Sequence, residues 1–78
     1  MGRYFFHLFN DLDAPDLEGR ELPDDATARD VAIWEAREMI AATVRKGGLN
    51  LSHRIDVADK YGRLLFTVRY GDAIKIIE

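Results

Sequence analysis

The sequence contains no cysteine, only two prolines and one tryptophan, and no long uninterrupted apolar segment. The absence of cysteine excludes disulfide bonds and thiolate metal sites, and with them the class of small secreted proteins that disulfides hold together. No segment approaches the ~20 apolar residues that cross a bilayer. The first residues lack the apolar stretch and small-residue cleavage pattern of a signal peptide. We therefore expect a cytoplasmic protein with no membrane partner.

The chain also lacks a concentrated basic patch. Its 11 Lys and Arg residues are scattered among 14 Asp and Glu residues, and the formal net charge is −3. Phosphate backbones attract clustered Lys and Arg side chains. This composition disfavours nucleic acid as a partner.

The length bounds what the chain can bury on its own. With 78 residues, we expect a single domain over residues 1–78. A chain of this size buries only roughly 60% of its extended-chain surface, and small domains often gain stability by oligomerising.

The most apolar and aromatic stretch is residues 3–9, RYFFHLF, which holds three of the four Phe residues. Such residues favour β-strands, in which successive side chains point to opposite faces. Alternation places Tyr4, Phe6 and Leu8 on one face, and the second face is then also largely apolar. A strand that is apolar on both faces belongs in the centre of a sheet with a cover on each side. One helix can cover only one of those sides.

The remaining pattern predicts three more strands and one helix. The strands are expected over residues 17–22, 54–59 and 63–70, with a hairpin turn at 59–62 that ends on Gly62. The helix is expected over residues 25–46, opened by Asp24 and Asp25 and stopped by Gly47. Its apolar face is formed by four residues with two more at its margin: Ala32, Ala36, Met39 and Ile40, then Ile33 and Val44.

These elements predict an α+β fold of the ββαββ type, with one four-stranded sheet and the long helix packed on one face. The first and fourth strands are the most apolar, which suggests the strand order 2-1-4-3 of a small β-grasp-like domain. In this arrangement Leu65 shares the second face of the sheet with Phe5 and Phe9, while Leu64 lies on the face of Phe66. The tail, residues 71–78, is expected to form a helical turn or a fifth strand. Its three isoleucines are expected to be buried, and packing onto a neighbouring chain is one option.

Two motifs resemble those of a family of short bacterial proteins of unknown function, found chiefly in rhizobia and related alphaproteobacteria. The motifs are Arg3-Tyr4-Phe5-Phe6-His7 and Glu18-Gly19-Arg20-Glu21-Leu22-Pro23-Asp24. This sequence departs from the family at residues 10–13, which replace a more usual Asp-Gly turn, and at Phe9, where a polar residue is more usual. The resemblance implies no activity, cofactor or site residue that can be transferred.

The second face of the sheet is the main candidate for a functional surface. We predict that Phe5, His7, Phe9 and Leu65, together with Trp34 on the outer side of the helix, form an interface with a second copy or another protein. Exposed apolar patches of several hundred Å² commonly mark such interfaces. A Trp34 that merely covers a loop is the alternative.

A second hypothesis centres on His7 and the nearby acidic residues Asp11, Asp13 and Asp16, as a small-ligand site or enzyme. A histidine beside carboxylates can act as a general base or a metal ligand, but a packed strand histidine has the same sequence signature. The acidic loop does not fit the spacing of a calcium-binding loop, and no nucleophile, phosphate-loop or zinc motif occurs. We therefore assign no catalytic residue, metal or cofactor.

The sequence alone thus predicts a non-enzymatic interaction module that acts through homodimerisation or a protein partner. The alternatives are a ligand-binding protein or enzyme at His7 and, against the charge, a nucleic-acid-binding regulator.

Overall fold

The computed structural model describes residues 2–10 and 13–77. It has an α+β fold in which one antiparallel sheet packs against one long helix. The elements follow one another as β1 (Gly2–Phe9), β2 (Asp13–Ala14), β3 (Arg20–Leu22), α1 (Asp25–Arg45), β4 (Arg54–Ala58), β5 (Leu64–Arg69) and α2 (Tyr70–Ala73).

The sheet has five strands in the order β2-β1-β4-β5, and β3 also pairs with β1. The predicted order 2-1-4-3 is wrong, because β4 and not β5 lies beside β1. The overall polarity of β4 suggests an edge strand, but its polar residues lie on one face. Ile55 and Val57 are buried towards the helix, whereas the polar Arg54 and Asp56 occupy the other face. A strand with one apolar face and one polar face can occupy the interior of a sheet that is covered on one side.

The outer edge of β1 is paired in two separate places. Gly2 to Tyr4 pair with β3, and Leu8 and Phe9 pair with β2. The predicted strand over residues 17–22 is therefore shorter than expected and begins only at Arg20. The residues before it form a turn, because the N–H groups of Glu18 and Gly19 both donate to the carboxylate of Asp16.

Helix α1 agrees closely with the prediction. The side chain of Asp24 caps its start by accepting the N–H of Thr27 at 2.7 Å, and Gly47 follows its end with φ 95°. The residues buried against the sheet recur every four positions and are mostly alanine, which brings the helix close to the strands. They are Ala28, Ala32, Ala36 and Ile40. Met39 and Ile33 pack at the margin, whereas Val44 is exposed.

The core lies between α1 and the helix-facing side of the sheet. Beyond the helix residues it contains Tyr4, Ile55, Val57, Val68, Tyr70 and Ala73. The turn at residues 59–62 forms as predicted, with Gly62 at φ 81° and its N–H bonded to the carbonyl of Asp59. In the tail, Ile74 packs against the core but Ile76 and Ile77 are exposed. For these two, the expected burial does not occur within the single chain.

Candidate functional site

The face of the sheet that points away from α1 carries three rows of side chains, which we call the open face. Directly paired residues of neighbouring strands present their side chains on the same side. The pairing of β1 with β4 and of β4 with β5 therefore aligns the rows across the sheet. The rows are Phe5–Ala58–Leu64, His7–Asp56–Thr67 and Phe9–Arg54–Arg69.

The middle row is polar and held by hydrogen bonds. Thr67 Oγ1 donates to Asp56 Oδ1 at 2.9 Å, and Arg54 Nε donates to the same oxygen at 3.2 Å. Asp56 is thus fixed from two sides on the strand beside His7. The arrangement places an imidazole, a carboxylate, a hydroxyl and a guanidinium on one patch of the sheet.

Aromatic rings lie on both sides of this polar row, in the two neighbouring rows. The Phe5 and His7 rings are stacked, with centroids 6.5 Å apart and an interplanar angle of 12°. On the other side of the polar row, the Arg54 guanidinium carbon lies 4.3 Å from the centre of the Phe9 ring. Phe5, His7 and Phe9 are all half-buried. The open face therefore combines apolar area with ordered charge.

Asp16 fixes the orientation of His7 from the sheet edge. Its backbone N–H donates to His7 Nδ1 at 3.0 Å. A ring nitrogen that accepts a hydrogen bond carries no proton, so the neutral ring holds its proton on Nε2. His7 therefore offers Nε2–H as its remaining hydrogen-bond donor.

The carboxylate of Asp16 is engaged elsewhere, in bonds to three backbone N–H groups. They belong to Phe6 at 3.1 Å, Glu18 at 3.1 Å and Gly19 at 3.0 Å. Burial by itself raises the pKa of this carboxyl, but the N–H groups of Gly19, Phe6 and Glu18 outweigh it, and the pKa is lowered. The Asp16 carboxylate thus holds the loop against the edge of β1 through backbone N–H groups, and it is not available to His7.

The structure brings together only three of the five predicted interface residues. Phe5, His7 and Phe9 lie on the open face, as strand alternation predicts. Trp34 is 59% exposed and lies on α1 opposite the residues buried against the sheet, so it is on the far side of the molecule.

Leu65 lies on the helix side of the sheet. The β4–β5 register shifts between Val57 and Ala58, so that Val57 pairs with Phe66 but Ala58 pairs with Leu64. This β-bulge breaks the alternation. Leu65 consequently packs against the core, and Leu64, 55% exposed, takes the open-face position.

The acidic neighbours expected around His7 are placed differently as well. Asp13 is exposed and pairs with Phe9, Asp16 approaches through its N–H, and Asp11 lies outside the described residues. The carboxylate that shares the row of His7 is Asp56. Sequence reasoning missed Thr67 and the two residues Arg54 and Asp56, which form the polar face of β4. That face was assigned to an edge strand and not to the strand next to β1.

Two clefts lie away from this row. One of about 470 Å³ is bounded by the start of β1, the first residue of α1 and the β4–β5 turn. The other, of about 350 Å³, lies between β1, the loop before β3 and α1, beside the Arg20–Glu35 ion pair. Neither is lined by His7, Asp56 or Thr67. The polar row is therefore on an open surface and not inside either cleft.

Within residues 2–10 and 13–77, no three or more His, Asp or Glu side chains converge in a way that could hold a metal ion. In the same part of the chain, no helix is both long and apolar enough to span a bilayer.

The structure defines a small α+β domain. Its sheet has one long helix on one face and a mixed aromatic and charged surface on the other. The chain belongs to the family of a domain of unknown function, DUF6894, whose model matches residues 3–71. The predicted membership of a family of unknown function is confirmed at this level, while the two motifs and the bacterial origin stay predictions. Comparison with curated proteins and with solved structures gave no match.

Proposed function

We propose that this protein is an interaction module that acts as a homodimer, in which the open faces of two sheets pack against each other. The observation that supports this most is the pattern of hydrogen-bond donors and acceptors on the open face. It carries its own complement, because His7 and Asp56 lie on adjacent strands in one row.

Symmetry turns that row into a self-complementary surface. Consider a two-fold axis that lies above the open face, parallel to β1 and β4 and midway between them. It places β1 of one protomer over β4 of the other. His7 then faces Asp56 of the partner subunit, and Phe9 faces Arg54 of the partner subunit. An isologous interface of this kind needs only one patch, since each contact occurs twice. The contact of Arg54 with Phe9 inside one chain shows that the two side chains are compatible.

The area of the open face sets the expected affinity. Three strands at ~4.8 Å spacing with a rise of ~3.3 Å per residue present a patch of roughly 300 Å² in projection. A standard interface buries about 800 Å² on each partner. We therefore expect a weak dimer that dissociates in the micromolar range.

Sedimentation velocity over a wide micromolar range tests this proposal. We expect a monomer–dimer equilibrium in the wild type. Phe5→Glu and Leu64→Glu both place an acid in the row of the open face that has no cation, and each should raise the dissociation constant at least about tenfold by burying an unpaired charge. Trp34→Glu makes the same kind of change on the far side and should leave the equilibrium unchanged. Far-UV circular dichroism checks that each variant is folded; Leu64 is exposed, so its substitution carries little risk to folding.

Three results would contradict the proposal. The first is a wild type that stays monomeric at every concentration. The second is a dimer that Trp34→Glu disrupts and the open-face variants do not, which would assign the interface to α1. The third is a monomer that binds single-stranded nucleic acid in a salt-sensitive manner, which would assign the aromatic and basic residues of the open face to another class of partner.

A further inference from the structure

The larger cleft has the volume and lining of a small-molecule site. Its volume of about 470 Å³ lies within the ~300–1,000 Å³ typical of ligand pockets. No residue of the three open-face rows lines it, so it is separate from that surface. Nothing in the proposed dimer depends on it.

A tyrosine–carboxylate pair forms one wall of this cleft. The Tyr4 hydroxyl donates to Asp25 Oδ1 at 2.6 Å, and Tyr4 is only 6% exposed. A carboxylate can accept about four hydrogen bonds, and Tyr4 uses one of them. Asp25 therefore keeps the capacity to accept further hydrogen bonds in the cleft.

A second tyrosine, Tyr61, also lines the cleft, on a turn whose backbone is bonded to Asp59. Asp59 Oδ1 accepts the N–H groups of Tyr61 and Arg63, both at 2.9 Å. Tyr61 is 83% exposed, and the Lys60 ammonium nitrogen lies 5.3 Å from the centre of its ring. The chain thus already places an ammonium group against this ring, in cation–π geometry.

The floor of the cleft is made apolar by the irregularity in β5. The bulge moves Leu65 off the open face, and Leu65 lines the cleft together with Tyr4. Bulges are frequent beside functional sites because they redirect a side chain. An apolar floor between two aromatic rings suits a hydrocarbon body.

The charged residues that line the cleft determine whether a cationic or an anionic ligand is favoured. Three acidic residues line it, Glu21, Asp25 and Asp59, against two basic residues, Arg3 and Lys60. Arg3 is already paired with Glu21 at 3.4 Å. The positive end of the α1 dipole would favour an anion, but Asp24 and Asp25 already occupy that end.

We propose that this cleft binds a small organic ammonium ion with an aromatic or aliphatic body. The ammonium group sits between the Asp25 carboxylate and the tyrosine rings, and the body lies on Leu65. In this position the ligand takes the place of the Lys60 ammonium on Tyr61.

An isosteric series of probes tests the charge selection directly. Two-dimensional amide NMR would follow titrations, up to the high millimolar range, with 2-phenylethylammonium, 2-phenylethanol and phenylacetate. We expect the ammonium compound to bind at least about fivefold more tightly than the alcohol, and the anion to bind most weakly. The shifts should centre on the amides of Gly2, Tyr61 and Leu65. Equal affinities, a reversed order, no shifts, or shifts centred on His7 and Thr67 would each overturn the proposal.

Substitutions with opposite expected effects separate a built site from general attraction to an acidic protein. Tyr61→Ala and Asp25→Asn should weaken the ammonium probe several-fold, whereas Lys60→Gln should strengthen it by removing the competing cation. Asp30→Asn makes the same charge change on an exposed part of α1 outside the cleft and should have no effect. Equal weakening by Asp25→Asn and Asp30→Asn, or no response to Tyr61→Ala, would contradict the assignment.

Discussion

The backbone N–H of Asp16 donates to Nδ1 of His7, while the carboxylate of Asp16 accepts the N–H of Phe6, the residue just before His7. One loop residue therefore fixes both a side chain and the backbone of the central strand. Asp16 lies beside the part of β1 that pairs with neither β2 nor β3. Its carboxylate therefore accepts the N–H that the carbonyl of a neighbouring strand would otherwise accept. The geometry of the open face thus depends on a residue at the sheet edge.

Replacing Asp16 should destabilise the fold clearly. Asp16→Ala leaves three N–H groups without their charged acceptor, and the free energy of unfolding should fall by roughly 2–4 kcal/mol. Asp13→Ala removes an exposed acid from the same loop region and should cost far less. Urea denaturation followed by circular dichroism measures both. A loss for Asp16→Ala no greater than that for Asp13→Ala would show that water replaces the carboxylate without cost.

The lowered pKa of Asp16 also predicts how acid acts on stability. A carboxyl whose pKa is lower in the folded state stabilises the fold at pH above the unfolded value, 3.8, and this contribution is lost as the pH falls through the folded pKa. Asp16→Asn should therefore flatten the acid limb of a stability-versus-pH curve. The same limb should persist in Asp30→Asn; if the two variants lose it equally, Asp16 is not its source.

Gly19 should not tolerate a side chain. Its φ is 71°, and an added Cβ would lie 2.9 Å from the Tyr4 carbonyl oxygen and 3.0 Å from the Phe5 ring. Gly19→Ala thus combines the left-handed backbone cost of ~1–2 kcal/mol with a clash against backbone. Gly47→Ala, at φ 95° with nothing within 4 Å, incurs only the backbone cost. Thermal unfolding should show the larger loss at Gly19; equal losses would mean that the loop moves to make room.

The sequence was sufficient wherever one local signal decided the structure. Asp24 and Gly47 bracket α1 where capping chemistry puts them, and the alternation in β1 places Phe5, His7 and Phe9 together. It was insufficient where a tertiary choice competes with the local pattern. No periodicity reveals that β4 pairs with β1, or that a bulge exchanges Leu64 for Leu65. The hydrogen bonds of Asp16 to β1 are equally absent from the sequence pattern, because an aspartate in a loop is typical of any solvated turn.

Tyr70 offers a case where removing a polar atom should not harm the fold. Its hydroxyl is buried without a hydrogen-bond partner among the described residues, and burial raises its pKa. Tyr70→Phe keeps the ring against His53, at 5.6 Å between centroids, and removes the unsatisfied group. Stability should stay constant or rise by up to about 1 kcal/mol. Tyr4→Phe, which breaks a bonded hydroxyl, should be destabilising. A loss at Tyr70→Phe would reveal a bound water or other partner.

Tyr4 should ionise far above the ordinary value for tyrosine. The hydrogen bond to Asp25, burial and the negative charge of Asp25 together raise its pKa from 10.0 to about 12. Because the folded state favours the neutral phenol, this contribution to stability is complete below pH 10.0 and is lost as the pH rises through about 12. Ultraviolet absorbance of tyrosinate follows the titration. The late transition should vanish in Tyr4→Phe and move to lower pH in Asp25→Asn, which removes the charge but keeps an acceptor. A transition that is unchanged in Asp25→Asn would assign the shift to burial alone and would weaken the case for Asp25 as the anionic wall of the cleft.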